Sequence, residues 1–505
     1  MQNHTEKPYI LCEFCHAMGN SLGGLSAYRA LLSQFPNFQG GFIWDYIDQA
    51  LLAEDINGKK KLCYGGDFGD RPNDGDFSAN GIIFADRARA HLSAKAQTVA
   101  YHYQPLGFDW QGDTLVITNR YLFRTTGHLS FVLEVLHDGE QARAKTFSCC
   151  IPAGGQERIA LDKTCFETGE TLFRVRALQE KEEYGVSRGT VIAFSETVAR
   201  RVLPALPETE KEPIVIQGHY NIGVRAGKIR YLFAKSGVSF RAAGLISLTA
   251  GGEECLMQTP LPTVFRPTTD NDCSNGFRFS AAPALGYSRN ARCDQQATVW
   301  KTEKGRFYIT YRYIFDDARR EGATLTYCID GEGRCRLRAD LDRLSGIPSL
   351  PLFGVRMELP LDKEHFEWFG KGPFESYPDR KAGVMSGVWH SRAGQEYTDY
   401  LYPQECGNHE DTRRMTIRGE SSSLTIAGEP TFSFKYLPYS DFSIECAAHK
   451  EELPAPHVAH LTLCGFTRGV GGDDSWGAPV HTEYTLPATE PYGFSLIFIP
   501  KYRKG

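Results

Sequence analysis

The chain has 505 residues, 41% hydrophobic and 23% charged, a globular composition too long for one ordinary domain; about three domains are expected. A net charge of −5 and a pI near 6.3 offer no basic footprint for nucleic acid or an anionic membrane. No apolar run reaches the roughly 18 residues of a membrane span. The stretch Met1 to Lys7 is polar and carries no signal-peptide pattern, so a cytoplasmic location is the default expectation. The 14 cysteines follow no repeating spacing, which argues for reduced thiols over a disulfide framework. Cys12 and Cys15 form a C-x-x-C pair, but no second pair follows to complete a zinc site. Buried free thiols are the simpler reading.

In chain order, Tyr9, Ile10 and Leu11 read as a short strand buried on both faces. Glu13 and His16 follow it, and Gly19, Asn20 and Ser21 read as a loop. From Leu22 the apolar positions Leu25, Tyr28, Leu31, Leu32 and Phe35 recur every three and four residues, predicting a helix. Asn20 or Ser21 is placed to cap it, and Pro36 to end it. Residues 40–47 then predict a second buried strand, giving one βα unit of a parallel sheet. Leu62 to Asp86 reads as a long ordered loop rich in Gly, Asp and Asn, with Phe68, Phe77 and Phe84 in it. Its glycines match neither phosphate-loop pattern.

From about Gln104 the period changes to two. Leu115 and Ile117, then Leu129, Phe131, Leu133 and Val135, predict half-buried antiparallel strands, with a hairpin turn at His137-Asp-Gly139. Strand-like runs continue to about Leu203, an immunoglobulin-like β-sandwich of roughly 100 residues. The prolines and charges of residues 204–213 mark a linker. From Ile214 onward nearly everything reads as short strands and turns, one large all-β domain without a long helix.

Glu13 lies just past one apolar run and Trp44 at the end of the next. In a barrel of parallel strands the chemistry sits at those C-terminal ends. A carboxylate beside an indole suits a sugar: a nucleophile, and a flat apolar face for the ring. A strand-end salt bridge and a core tryptophan are the bland alternative on this pattern alone.

The residues Ile10-Leu-Cys-Glu-Phe-Cys-His-Ala-Met-Gly-Asn-Ser21 closely resemble the nucleophile segment of the β-galactosidases of glycoside hydrolase family 2. Gln39-Gly-Gly-Phe-Ile-Trp-Asp-Tyr-Ile-Asp-Gln49 resembles the segment that follows it. The likeness continues in order at Tyr64 to Asp74, Asn80 to Arg87, Arg266-Pro-Thr-Thr-Asp-Asn-Asp272, and Trp368 to Arg380. It recurs at Tyr402 to Glu405 with Asn408, and at Gly469-Val-Gly-Gly-Asp-Asp-Ser-Trp476.

The resemblance implies a multidomain, mainly β protein. Residues 1–103 would be the C-terminal part of a (β/α)8 TIM barrel, 104–203 a β-sandwich, 204–213 a linker and 214–505 a large antiparallel β-supersandwich. It implies retaining hydrolysis of terminal β-D-galactosides such as lactose, through a covalent galactosyl-enzyme with Glu13 as nucleophile. By the same resemblance His16, Trp44, Asn80 and Trp476 bind substrate. Asn80 and the Phe77 carbonyl are sodium ligands by resemblance. Asp45, Asp48, Asp67 and Asp70 are read as loop-ordering acids.

A complete barrel needs eight βα units and about 250 residues, and only about two strands are read here. The family's acid/base glutamate, its magnesium ligands and its N-terminal sandwiches are expected to lie before Met1. An N-terminal half or partner chain is therefore expected to complete the enzyme, as an oligomer, with this chain inactive alone. The alternative is a catalytically incompetent carbohydrate-binding or structural remnant. Arg87 to Lys95 also departs from the family pattern, lacking its prolines and acid, which questions how the last barrel turn packs.

Overall fold

The computed structural model describes residues 6–54, 57–161, 165–202, 208–236, 243–274, 278–294 and 298–503. They fall into two compact units, one of Met1–Ala96, Ala205–Lys381 and Trp389–Gly505, the other of Gln97–Pro204 with Ala382–Val388. Part of the expected linker, residues 204–207, lies outside the described residues; 208–213 has no regular structure.

The first unit opens with strand β1 (Tyr9–Phe14), helix α1 (Leu25–Gln34) and strand β2 (Phe38–Ile43). β1 and β2 pair in parallel, with Leu11 opposite Gly41 and Phe14 opposite Ile43, as the βα reading requires. Their burial differs from the expectation: Ile10 is 56% and Phe42 67% exposed, and Tyr9, Trp44 and Tyr46 are exposed with them. Among the described residues β1 and β2 pair only with each other; helix α1 packs on this pair, with Tyr28 meeting Phe14 at 4.9 Å, and leaves these apolar side chains uncovered. Cys12 is likewise exposed; Cys15 is the buried member of its pair, and burial pushes its thiol well up. Helix α1 starts later than predicted. Leu22 takes a left-handed φ of 64°, and Gly24 stands at the N-cap in place of Asn20 or Ser21, with no side-chain cap.

Strands β3 (Leu51–Glu54) and β4 (Lys60–Cys63) form a hairpin, and the long loop follows without regular elements until a 3-10 turn at Arg87–Leu92. Helix α2 (Ala94–His102) comes next, its Ser93 Oγ accepting from Ala96 N at 3.2 Å and donating to Ile82 O at 2.5 Å. The stretch that departs from the family pattern is thus a capped helix start.

The second unit is a β-sandwich. One sheet holds β5 (Leu106–Gln111), β6 (Thr114–Asn119) and β9 (Gln156–Ala160). The other holds β7 (Leu129–His137), β8 (Glu140–Phe147), β10 (Glu170–Gln179) and β11 (Val191–Arg201). Leu115, Ile117, Leu129, Phe131 and Val175 fill its core, as alternation predicts. The predicted hairpin is present: His137 pairs Glu140 across Asp138 and Gly139, both with positive φ. Residues 382–388 join this unit where Ser386 N and Oγ donate to Glu196.

The remainder of the first unit is a five-stranded antiparallel sheet over Ile214–Glu254 followed by a much larger antiparallel one. The central run of the larger sheet orders Leu352–Pro360, Val458–Thr467, Ser422–Leu437, Tyr492–Tyr502, Cys335–Leu341, Glu321–Ile329 and Arg306–Asp316. Its core is aromatic and aliphatic, with Trp368, Tyr311, Tyr327 and Phe434 fully enclosed. The domain is not free of helix. After the short α3 (Asp270–Ser274), α4 spans Arg278–Asn290 with Pro283 inside it. Ala281, Ala284 and Ser288 form its buried side, and Ser288 Oγ accepts from Val264 N at 2.9 Å. Pro283, a helix breaker in general, and the small side chains hide this helix from a reading of apolar periodicity.

Candidate active site

The site begins where the chain leaves β1 and β2. Two stretches beyond β2, residues 44–49 and 78–83, are zipped together by backbone hydrogen bonds. Asp45 N donates to Asn80 O (2.5 Å), Ile82 N to Asp45 O (3.0 Å), Asp48 N to Ile83 O (3.0 Å) and Gln49 N to Ser78 O (2.9 Å). Gly81 is required there: a Cβ would stand 2.0 Å from Asp48 N. The segment after β1 is tied to the same place, with Ala17 N donating to Trp44 O (2.7 Å) and Gly19 N to Ala79 O (3.1 Å).

The loop acids order this structure. Asp45 accepts from Ile47 N and Gln49 Nε2, and Asp48 from Gly81 N. Asp67 accepts from Tyr64 N and meets His449 Nε2 at 2.8 Å; Asp70 accepts from Gly66 N.

The β domain closes over this framework from far along the chain. Asn20 N donates to Gln404 Oε1 (2.9 Å), Asn20 Nδ2 to Glu405 O (2.7 Å) and Arg380 to Ser21 O (3.0 Å). The backbone of Gly471 abuts that of Gly23 so closely that a Cβ on Gly471 would fall 2.1 Å from Gly23 N. These contacts carry residues 469–476 to the β1 side. There Ser475 Oγ donates to His16 O (3.2 Å).

Four of the sequence-derived site residues meet. The His16 ring stacks on Phe77 (centroids 5.2 Å apart, 28° between planes) and meets Trp476 edge-on at 4.9 Å. Asn80 Nδ2 donates to Phe77 O at 3.1 Å. His16 is 3% exposed, and burial holds its imidazole down to about 4, with Asp474 opposing, so it is neutral near pH 7. Its Nδ1 and Asn80 Oδ1 are both buried without a hydrogen-bond partner among the described residues. Such orphaned polar atoms are costly unless a ligand or water serves them. Trp476 is 49% exposed and Trp44 45%, each an apolar face open to a ligand.

Glu13 stands exposed as the next-to-last residue of β1, one before Phe14, which faces Ile43 at the end of β2. It is therefore at the C-terminal end of the parallel pair. Among the described residues its carboxylate makes no hydrogen bond or ion pair with the aromatic group.

Three models of known families match the chain in sequence. They are "Glycosyl hydrolases family 2, TIM barrel domain" over residues 1–108, "Beta-galactosidase, domain 4" over 115–199, and "Beta galactosidase small chain" over 234–498. The chain belongs to the β-galactosidases of glycoside hydrolase family 2. Among its relatives, the β-galactosidase BgaC of Bifidobacterium adolescentis is 36% identical over 98% of this chain and 48% of that protein. A β-galactosidase of Halalkalibacterium halodurans is 34% identical over 98% and 49%. One of Lactobacillus delbrueckii subsp. bulgaricus is 33% identical over 99% and 48%. The chain spans about half the length of these curated relatives.

Within this chain, Asn80 and Phe77 each offer a hard oxygen donor in the same loop. Asn80 Oδ1 is orphaned, and the Phe77 carbonyl has a second lone pair left after its bond to Asn80 Nδ2. Such oxygens suit a hard cation. No group of three or more His, Cys, Asp or Glu side chains arranged to hold a metal ion occurs among the described residues. No helix among them is long and apolar enough to cross a membrane.

Sequence reasoning did not foresee what stands behind the site. Lys95, 1% exposed, donates from Nζ to Ala17 O at 2.7 Å, with burial lowering its basicity. Asp270 is held well above the usual carboxylate range by burial and by the facing Asp76 carboxyl, while Gln404 Nε2 donates to it at 2.8 Å. Asp270 and Gln404 both lie in motifs that carry the family resemblance, but nothing in their spacing joins them to the loop.

Proposed function

We propose that this chain supplies the nucleophile and much of the sugar-binding surface for retaining hydrolysis of terminal β-D-galactosides such as lactose. The observation that carries the proposal is the convergence of His16, Phe77, Asn80 and Trp476 beside the strand end that bears Glu13, with two buried polar atoms left for a ligand.

Glu13 would attack the anomeric carbon as carboxylate, forming a galactosyl ester. The bond to the leaving oxygen breaks, and that oxygen takes a proton from a second carboxylic acid about 5 to 5.5 Å away. Water then cleaves the ester, its proton returning to the same acid. That second acid, and the magnesium ligands, are proposed to come from an N-terminal half or partner chain. The exposed apolar faces of β1 and β2 support such a partner, since they lie open in this chain. Asn80 Oδ1 and Phe77 O would hold a sodium ion, which would offer a positive centre to a sugar hydroxyl. Neutral His16 would accept or donate a hydrogen bond to a hydroxyl through Nδ1, and Trp44 and Trp476 would pack on the sugar faces.

The test is hydrolysis of a chromogenic β-galactoside by the purified chain, alone and mixed with the N-terminal half of a related β-galactosidase. Activity on mixing, abolished by Glu13→Gln, is the expected result. Activity of the chain alone would place an unrecognised acid within it. No activity in either case would favour a non-catalytic carbohydrate-binding role.

A further inference from the structure

We propose that Asn271 is the positioning residue of the Trp476 indole and, through it, sets how the leaving-group sugar of the substrate fits. The second clause rests on the β-galactosidase function proposed above; the first stands without it.

The Arg266–Asp272 motif supplies no reacting group to that function, yet it is pinned residue by residue. Asp270 accepts from Gln404 Nε2 at 2.8 Å. Asp272 accepts from Thr269 N at 3.2 Å and from Arg266 at 3.3 Å. Asn271 sits between them, 1% exposed, in α3. Its Nδ2 donates to Asp474 O at 2.8 Å and to Ala478 O at 2.9 Å, the two ends of the turn that carries Trp476. Inside that bracket, Asp474 Oδ1 accepts from the N–H groups of Trp476 (3.0 Å), Gly477 (2.8 Å) and Ala478 (2.9 Å). Asp474 thus fixes the shape of the turn, and Asn271 fixes its place. The approach is tight: a Cβ on Gly472 would stand 2.7 Å from Asn271 Nδ2.

The indole is half-exposed, and the rings it meets are His16 at 4.9 Å and Phe77 at 6.0 Å, which stack on each other. The turn sets its direction, and the edge-on contact with His16 follows from that placement. A platform already held in its bound direction loses little freedom when a ligand ring stacks on it. Loosening the turn should weaken what stacks on Trp476 and leave alone what binds only to His16 and Asn80.

The full chain grown with 5-fluorotryptophan has six fluorine reporters, one per tryptophan; Trp476→Phe assigns the Trp476 line. Asn271→Asp keeps the shape but turns a carboxylate toward two carbonyl oxygens, and Asn271→Ala removes both donors without adding charge. In either variant the Trp476 line is expected to shift or broaden while the other five hold. A Trp476 line unmoved in both variants, or all six lines moving together in both, overturns the proposal.

In a preparation that hydrolyses β-galactosides, Asn271→Ala is expected to raise KM for lactose about tenfold, the scale of one lost stacking contact. Inhibition by free galactose should stay within about twofold, well inside that tenfold scale. Equal weakening of both overturns the leaving-group clause. Absence of hydrolysis by the unsubstituted protein bears on the β-galactosidase function, and the fluorine result still decides the role of Asn271.

Discussion

Asp379→Ala should unlock the segment that carries Trp476. The Asp379 carboxylate accepts from Val470 N at 2.9 Å and Gly471 N at 2.8 Å, while its own carbonyl accepts from Gly24 N at 3.0 Å. One residue therefore holds the start of α1 and the approach to Trp476 together. A hydrogen bond to a charged group contributes about 1.5–3 kcal/mol, and a shielded N–H left unpaired costs about as much. Two such bonds would sum to about 3–6 kcal/mol, and because they share one carboxylate and are not independent the loss falls at the lower end, about 3–4 kcal/mol. A chain of several domains has no single unfolding free energy, so the assay is local. Hydrogen exchange followed by mass spectrometry over residues 469–476 should speed up about 10²–10³-fold, which is that loss expressed as an opening equilibrium. The strand Cys335–Leu341, at the centre of the large sheet, should be unchanged. Asp379→Asn keeps an acceptor and should show roughly half the free-energy effect by the same reckoning. Exchange over 469–476 within about threefold of the parent would refute the clamp, as would an equal loss of protection at the sheet centre.

Other outcomes follow from single contacts. Gly81→Ala should drive residues 44–49 away from 78–83, because its Cβ would meet Asp48 N at 2.0 Å. Near-parent exchange protection in both stretches would contradict this. Lys435→Met should destabilise the β domain by about 3–5 kcal/mol, since Lys435 Nζ serves Glu405 (2.6 Å) and Asp441 (2.7 Å); hydrogen exchange over the strand Ser422–Leu437 checks it. Acid stability should depend on Glu253. Burial opposes its charge, but hydrogen bonds from Lys363 and Ser421 outweigh that and hold the carboxyl down at about 2. Its contribution is full above the ordinary pKa near 4.5 and is lost as pH falls toward 2, about 2–3 kcal/mol in all. The melting temperature of Lys363→Met should accordingly fall less between pH 5 and pH 2 than that of the parent.

What the sequence disclosed and what it concealed divide along a physical line. The βα unit, the hairpin at Asp138–Gly139 and the alternation of Leu115, Ile117, Leu129 and Phe131 are local patterns, and the structure has them. Burial was not local. The apolar run at Tyr9–Leu11 suits a strand enclosed on both sides, yet enclosure depends on neighbours that this chain does not place there. Helix α4 was hidden because Pro283 and small residues replace the usual apolar stripe. The site divides in the same way. Glu13 and Trp44 could be suspected from strand ends, whereas His16, Phe77, Asn80 and Trp476 entered through resemblance to a family. Ser475 and His16, whose contact brings Trp476 to the barrel strands, are 459 residues apart, and no periodicity spans that.

The long-range ties also explain why the motifs of the β domain resemble the family as strongly as those near Glu13. Arg266, fully buried, donates to Arg468 O (2.6 Å) and Gly469 O (2.7 Å), just before the stretch that Asp379 then grips. Arg380 reaches Ser21 O, and Gln404 reaches Asn20 N. Each motif donates to, or accepts from, the backbone of the strand-end segments or of the Trp476 approach. Replacing any one of these side chains leaves a shielded backbone group without its partner, at a cost of about 1–3 kcal/mol. The β domain is therefore bound to the site by main-chain recognition, which constrains side chains that never touch a substrate. Variants at Arg266, Asp379 or Gln404 should consequently lose local protection around Trp476 or Asn20 before they lose the sheet.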